Sequence, residues 1–259
     1  MGEIDDSDRA EFRRALGKWL DNDVRPHVLE FEHADRYPAE MVEQMREFGL
    51  FGATIPSQYG GLELSAGAYA EVVSTISEVW MSLTGVLNSH LMMAHLINRF
   101  GTDEQRESFL PGLAAAELRG GLALTEPDCG TDLQAVRTVA RRDGDGYRID
   151  GVKTWITNGS RGNCLALLVK TDPTALPRHT GMSMFLVKKD DGYRAGDPLA
   201  KMGYKGVDTV EVRFDGVPVP ADRLLGGVEG QGFAQAQGGL ELGRINVAAR
   251  GLGVANAAL

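Results

Sequence analysis

The feature that most constrains the fold of this chain is a double change of hydrophobic period. The pattern turns from helical to strand-like at Gly120-Gly121 and back to helical after Gly226-Gly227. A helix buries a stripe that recurs every three or four residues, whereas a half-buried strand hides every second one. A chain that switches twice therefore builds separate blocks. Residues 1–119 read as an all-α N-terminal domain, 120–228 as a β-domain, and 229–259 as the first helix of a C-terminal helical bundle. The expected class is α+β multidomain, with an antiparallel β-barrel or sandwich in the middle.

Local signals fill in the blocks. Asp8 and Glu11 have capping-box spacing, and Phe12, Ala15, Leu16, Trp19 and Leu20 recur on one helical face. A second helix is expected from Pro38 to Gly49, a suitable C-cap, and Pro56 to Leu64 reads as a loop. A helical pair follows, Ala66–Val79 and Met81–Phe100, then a short helix opened by Thr102 and Gln105 that Pro111 should interrupt or end. Strand runs are expected at Leu122–Thr125, Tyr147–Ile149, Leu165–Val169, Met184–Val187 and Thr209–Phe214. Asp143-Gly144-Asp145-Gly146 marks a hairpin turn, and the wholly apolar Leu165–Val169 suits a strand covered on both faces. Val217-Pro218-Val219-Pro220 should not continue a central strand, because proline gives no ladder donor. The closing helix, Gly232 to Leu259, contains Gly238, Gly239, Gly243, Gly251 and Gly253. Each costs about 1 kcal/mol relative to alanine, so the helix needs close-packed neighbours. The sequence supplies none after it, and the last domain reads as unfinished.

Composition removes several function classes. The formal charge of −9 comes from interleaved acids and bases, with no basic stripe to track phosphates, so no nucleic-acid partner is expected. The five histidines and two cysteines lack metal-ligand spacing, and His90 and His95 fall on different faces of a helix. Two cysteines in this length point to a reducing, cytoplasmic setting, and the acidic Met1–Asp8 has no apolar core of a targeting peptide. The apolar stretch Met81–Ile97 is broken by Asn88, Ser89, His90 and His95 and reads as a buried helix, not a membrane span.

Two stretches carry candidate chemistry. In Ala123–Ala135, a strand ends at Thr125, and a loop with Pro127 and Gly130 presents backbone N–H groups and the hydroxyls of Thr125 and Thr131. Such a loop can hold an anion or a ring edge, although an ordinary β-turn loop explains the same residues. In Lys153–Gly159, Trp155, Ile156 and Thr157 precede an Asn-Gly turn. On the residues alone, a tryptophan on a strand is more often core than ligand platform.

Together and in this order, Thr125-Glu126-Pro127, Gly130-Thr131-Asp132 with Ala135, and Trp155-Ile156-Thr157-Asn158-Gly159 resemble the acyl-CoA dehydrogenase family. Lys201-Met202-Gly203, Phe214 through Pro220, and Leu240-Glu241 with Arg244 extend the resemblance over the whole chain. It implies FAD as cofactor, with Leu122, Leu124, Thr125, Gly130, Thr131, Trp155, Ile156 and Thr157 against the flavin. It also implies that Thr131, Glu241 and Arg244 face the acyl-CoA substrate. Cys129 stands where the family has a smaller residue, and is expected to be inert. The reaction implied is α,β-desaturation of an acyl-CoA thioester, in which a carboxylate removes the α-proton while flavin accepts the β-hydride.

The closing helix sharpens that implication. Leu240, Arg244, Val247 and Gly251 fall on one stripe, and Glu241 is spaced to pair with Arg244. Family members hold the base either directly before this arginine or on a late loop of the C-terminal domain. The first position is Gly243 here, and the second lies beyond Leu259, so no catalytic base is expected in this chain and Arg244 keeps a supporting role. Glu241 is no substitute, since two residues along a helix turn a side chain by about 200°. The implied partners are an electron-transfer flavoprotein or similar acceptor, a homo-oligomer (a tetramer in the family), or a chain supplying the C-terminal domain. Competing readings are a non-catalytic subunit binding flavin or acyl-CoA, and a flavin oxidase or monooxygenase on the same fold. Asn88, Ser89, Met92 and Met93 are candidate pocket residues, and Arg178 and His179 candidates for the adenine end.

Overall fold

The computed structural model describes residues 6–259, with side chains described from Ala10 onward. The N-terminal block holds α1 (Asp6–Trp19), α2 (Val28–His33), α3 (Ala39–Glu47), α4 (Ala66–Phe100) and α5 (Asp103–Ala114). Because α1 is already helical at Asp6, the Asp8–Glu11 spacing falls inside the helix instead of opening it, and the Asp8 side chain lies outside the described residues. Gly49 ends α3 in the left-handed region at φ 69°, as its capping role requires. The expected helical pair is present as one rod broken at Trp80, whose φ of −156° leaves the helix between Val79 and Met81. There the indole N–H donates to Glu32 at 3.0 Å and the ring packs on Phe31. The Thr102–Gln105 capping box forms. Pro111 does not stop α5, which runs on to Ala114. The carbonyl left without a donor belongs to exposed Glu107, while buried Leu110 and Leu113 hold the last turn to the core.

The β-domain contains β1 (Gly120–Ala123), β2 (Val139–Asp143), β3 (Gly146–Thr157), β4 (Cys164–Lys170), β5 (Met182–Lys188), β6 (Arg194–Pro198) and β7 (Thr209–Pro220). They form one sheet in the order β1-β4-β2-β3-β7-β6, with β5 also on β4. Pairing is antiparallel except that β1 runs parallel to β4 and β2 touches β4 in parallel at one pair. The Gly144-Asp145 turn closes the β2–β3 hairpin, with Gly144 at φ 57°. Strand β4 is buried on both faces, as its apolar run requires. The Val217–Pro220 run does extend β7, which departs from expectation in extent but not in physics. Beyond Arg213, β7 pairs only with β3, so Pro218 and Pro220 sit on an edge. Strand β1 ends at Ala123, short of Thr125, because Leu124 and Thr125 turn their carbonyls to Lys153 and to the Thr154 amide.

Helix α6 (Gly232–Ala258) lies antiparallel along α4. A Cβ on Gly238 would stand 2.8 Å from the Phe100 ring and one on Gly239 2.9 Å from Leu96, and one on Gly253 would overlap the Ser74 carbonyl. For Gly238, Gly239, Gly243 and Gly253 the close-packed neighbour therefore exists and precedes them in the chain, whereas Gly251 does not face it. Buried Asn246 donates to the Tyr69 hydroxyl at 2.7 Å, and Arg250 reaches Tyr204 at 2.6 Å, pinning the seam with polar contacts.

His90 fastens α4 to β1. The Gly120 amide donates to Nδ1 at 3.0 Å, which places the proton on Nε2, where it is donated to the Phe51 carbonyl at 3.0 Å. Burial pushes the imidazole down to about 4, so it is neutral in the fold. A depressed histidine contributes stability that is full above its unfolded value near 6.5 and lost as pH falls towards 4. The loss is on the order of 3 kcal/mol across that window. Urea unfolding at stepped pH should show it, and His90→Gln should flatten the curve over the same range. Among the described residues no helix is long and apolar enough to cross a membrane.

Candidate functional site

The two candidate stretches meet at the start of the β-domain. Gly121 lets β1 pass close to β3, since a Cβ there would stand 2.6 Å from the Thr157 carbonyl. Asn158 then donates its side-chain amide to Gly120 O at 2.9 Å and Val86 O at 3.0 Å, tying the end of β3 to both β1 and α4.

A bulge shapes β3 at this point. Lys153 pairs with Val212 and Ile156 with Val210, so Thr154 and Trp155 together oppose Glu211 alone. Trp155 takes φ 59°, an outlier for a bulky residue that costs about 1–3 kcal/mol. The residue is 57% exposed. The general expectation that a strand tryptophan is core is therefore wrong here, and the reason is the bulge. Ile156, one residue on, is turned into the β-domain core and offers an external ligand only its backbone.

Thr125 and Thr157 are half-buried and Gly130 and Thr131 exposed. Among the described residues, no hydrogen bond engages the hydroxyls of Thr125, Thr131 and Thr157 or the amides of Gly130 and Thr131. Leu122 and Leu124 are nearly covered, in a cluster with Met92, Cys129, Leu133 and Leu240. The Cys129 thiol is raised by burial and by nearby Glu126, consistent with an inert role.

Lys153 and Glu126 were part of the motifs but not among the candidate site residues, and both are central. Lys153 is fully buried and Glu126 is 6% exposed, with Nζ 2.8 Å from Oε1. Burial alone would raise the Glu126 carboxyl. The Lys153 charge and the hydrogen bonds from Lys153, Thr138 and Arg137 outweigh it and hold the group below the usual range. The signal was present in the alternation of β3. Tyr147 and Ile149 point inward, and the same two-residue period carries Lys153 inward, where a lysine requires a carboxylate.

On α6 the expected Glu241–Arg244 pair does not form. Tight packing brings Arg99 of α4 to Glu241 at 2.7 Å, while exposed Arg244 has no ion pair among the described residues. Arg244 instead lines a groove of about 430 Å³ with Asn88, Met92, Leu240, Gly243, Val247 and Ala248. Leu240, Arg244 and Val247 thus share one face, as their spacing requires. Asn88 and Met92 reach the groove, but Ser89 and Met93 are buried away from it. The buried Asn88 Oδ1 has no hydrogen-bond partner among the described residues. Among the described residues no carboxylate lines the groove. His179 packs on Phe233 at 5.7 Å, and Arg178 is exposed. Among the described residues no cluster of His, Cys, Asp or Glu is arranged to hold a metal ion.

Comparison with known proteins gives a consistent result. The family model for the acyl-CoA dehydrogenase N-terminal domain matches residues 6–117, and that for the acyl-CoA dehydrogenase middle domain matches residues 121–217. The chain is 39% identical over 261 residues to (2S)-methylsuccinyl-CoA dehydrogenase of Cereibacter sphaeroides, covering 97% of this chain and 47% of that relative. It superposes on butyryl-CoA dehydrogenase from Megasphaera elsdenii with a TM-score of 0.92 at 30% identity, covering 100% of this chain and 68% of the other. A glutaryl-CoA dehydrogenase from Mycobacterium smegmatis in complex with FADH2 matches with a TM-score of 0.86 at 27% identity, over 98% of this chain and 64% of the other. The chain thus spans roughly half to two thirds of the relatives it matches. With helical N-terminal domain, β-domain and closing helix all matched in order, the chain belongs to the acyl-CoA dehydrogenase family.

Proposed function

We propose that this chain builds the flavin-facing side and part of the acyl groove of an FAD-dependent acyl-CoA dehydrogenase, which desaturates an acyl-CoA thioester between Cα and Cβ. The observation that carries the reading is Trp155, held exposed in a costly conformation, on a strand bonded to the loop at Thr125, where among the described residues the hydroxyls of Thr125, Thr131 and Thr157 have no hydrogen-bond partner. Such strain persists where a function uses it. An exposed indole offers a stacking face, and Thr125, Thr131 and Thr157 offer donors and acceptors for a polar ring edge. These residues fit an isoalloxazine. When bound, the flavin supplies the acceptor for the hydride that leaves Cβ.

In this reading Trp155 stacks and Thr157 and Thr125 hydrogen-bond, while the Ile156 backbone, Leu122 and Leu124 complete the wall. Gly130 and Thr131 serve both cofactor and thioester end, and Arg244 supports the substrate from the groove rim. Glu241, tied to Arg99, contributes by shaping that rim. Met92 and Leu240 give the acyl chain an apolar floor. Gly243 faces Met92, and among the described residues no carboxylate enters the groove. The α-proton is therefore taken by a carboxylate other than these groove residues. The reading includes an electron-transfer flavoprotein or similar acceptor, a homo-oligomer and a cytoplasmic setting, which the free thiols of Cys129 and Cys164 suit.

Turnover of an acyl-CoA panel with FAD and an artificial acceptor tests the proposal. The chain by itself is expected to stay at background, and adding the C-terminal helical segment of a relative to restore turnover. Robust turnover by the chain alone would overturn the missing carboxylate. Silence after complementation with FAD bound would overturn the dehydrogenase reading.

A further inference from the structure

We propose that the buried Lys153–Glu126 ion pair is a positioning device for the cofactor face, fixing the Thr125–Thr131 loop and the Trp155 bulge in one relation to each other. The proposal rests on the flavin reading above, and neither residue needs to touch the cofactor. Lys153 Nζ donates to the Leu124 carbonyl at 2.9 Å and to Glu126 Oε1 at 2.8 Å. Glu126 accepts in turn from the Arg137 amide at 2.6 Å and the Thr138 amide at 3.0 Å. The Thr154 amide donates to the Thr125 carbonyl at 2.9 Å, and Glu126 and Cys129 exchange backbone bonds across the Pro127-Asp128 turn. One ion pair therefore grips the loop where it leaves β1, grips it again where it returns towards β2, and roots both grips in β3 two residues before Trp155.

Stability does not account for this choice of residues. A buried ion pair gains little over a well-packed apolar pair of similar volume, because desolvating two charges offsets their attraction. What an apolar pair cannot do is fix a carbonyl and two amides by directed bonds. The flanking segments carry the free hydroxyls and the strained indole, and a ligand face made from a loop and a bulge keeps its geometry only if its support is locked.

The test compares wild type, Lys153→Met, and the double variant Lys153→Met with Glu126→Leu. Three readouts apply: unfolding stability, FAD affinity by titration, and the NMR signals of the Trp155 indole and the Thr131 amide. The single variant is expected to lose stability by stranding a buried carboxylate. The double variant is expected to regain part of it, because the stranded charge is gone while the Leu124 carbonyl and the Arg137 and Thr138 amides stay without their partners, yet to bind FAD about tenfold more weakly or worse, and to show broadened or multiple Trp155 and Thr131 signals. A double variant with recovered stability, unchanged affinity and single wild-type signals would reduce the pair to a structural role. If wild type itself binds no FAD, the flavin reading fails, while the Trp155 and Thr131 signals still decide whether the pair sets this geometry. Should the double variant not fold, Glu126→Gln takes its place. It keeps the volume but forfeits one acceptor, and unchanged signals in it would equally overturn the proposal.

Discussion

Replacing Trp155 by glycine is expected to weaken FAD binding about 30-fold or more while leaving the chain itself as stable as before, or more so. The two effects have opposite signs because they come from different properties of one residue. Loss of a stacking aromatic removes about 2 kcal/mol of binding, which converts to about 30-fold in Kd. The residue is already 57% exposed, so little core packing is lost with its side chain. Its φ of 59° suits glycine, and relieving the left-handed conformation of a bulky residue returns about 1–2 kcal/mol, which offsets the packing that does disappear. Urea unfolding and a flavin titration on the same protein separate the effects. A clear fall in stability with unchanged FAD affinity would make Trp155 a packing residue.

Gly253→Ala is expected to destabilise by about 2 kcal/mol, whereas Gly251→Ala, two residues away, should stabilise by up to about 1 kcal/mol. Helix propensity favours alanine equally at both positions, so the difference must come from packing. A Cβ on Gly253 overlaps the Ser74 carbonyl and stands 2.9 Å from Ser77 Cβ, and backbone on α4 cannot swing aside as a side-chain tip would. A Cβ on Gly251 would meet no atom of another element within 4 Å among the described residues. The paired thermal or urea measurement therefore reads the α4–α6 seam directly. Equal effects would mean that α6 does not pack on α4 at this end.

The order of helical block, β-block and closing helix was legible because the hydrophobic period is a local property of the chain. So were the break at Trp80, the Gly49 cap, the Thr102–Gln105 box and the β2–β3 turn. Each depends on a few consecutive residues. What was not legible depends on residues far apart in sequence. The neighbour of α6 is α4, more than 130 residues earlier, so reading forward from Gly232 finds no partner for its glycines. Glu241 was assigned to Arg244 by helix spacing, and Arg99 won it across the seam. The bulge at Thr154–Trp155 inverted the expected direction of the tryptophan, and nothing in the residues of β3 alone requires that bulge. Lys153 stands between these cases. Strand alternation already placed it inside, but its carboxylate partner lies in a loop 27 positions away.

The central claim is that the Thr125–Thr131 loop and the Trp155 bulge form one flavin-binding face. The most direct measurement is a titration of this chain with FAD, up to millimolar to admit weak binding, followed by proton–nitrogen NMR. The account predicts that the largest shifts fall on the Trp155 indole N–H and on the backbone amides of Thr125, Gly130, Thr131 and Thr157, while buried Trp19 and Trp80 stay still. No shifts at saturating FAD, or shifts gathered on another surface, would contradict it.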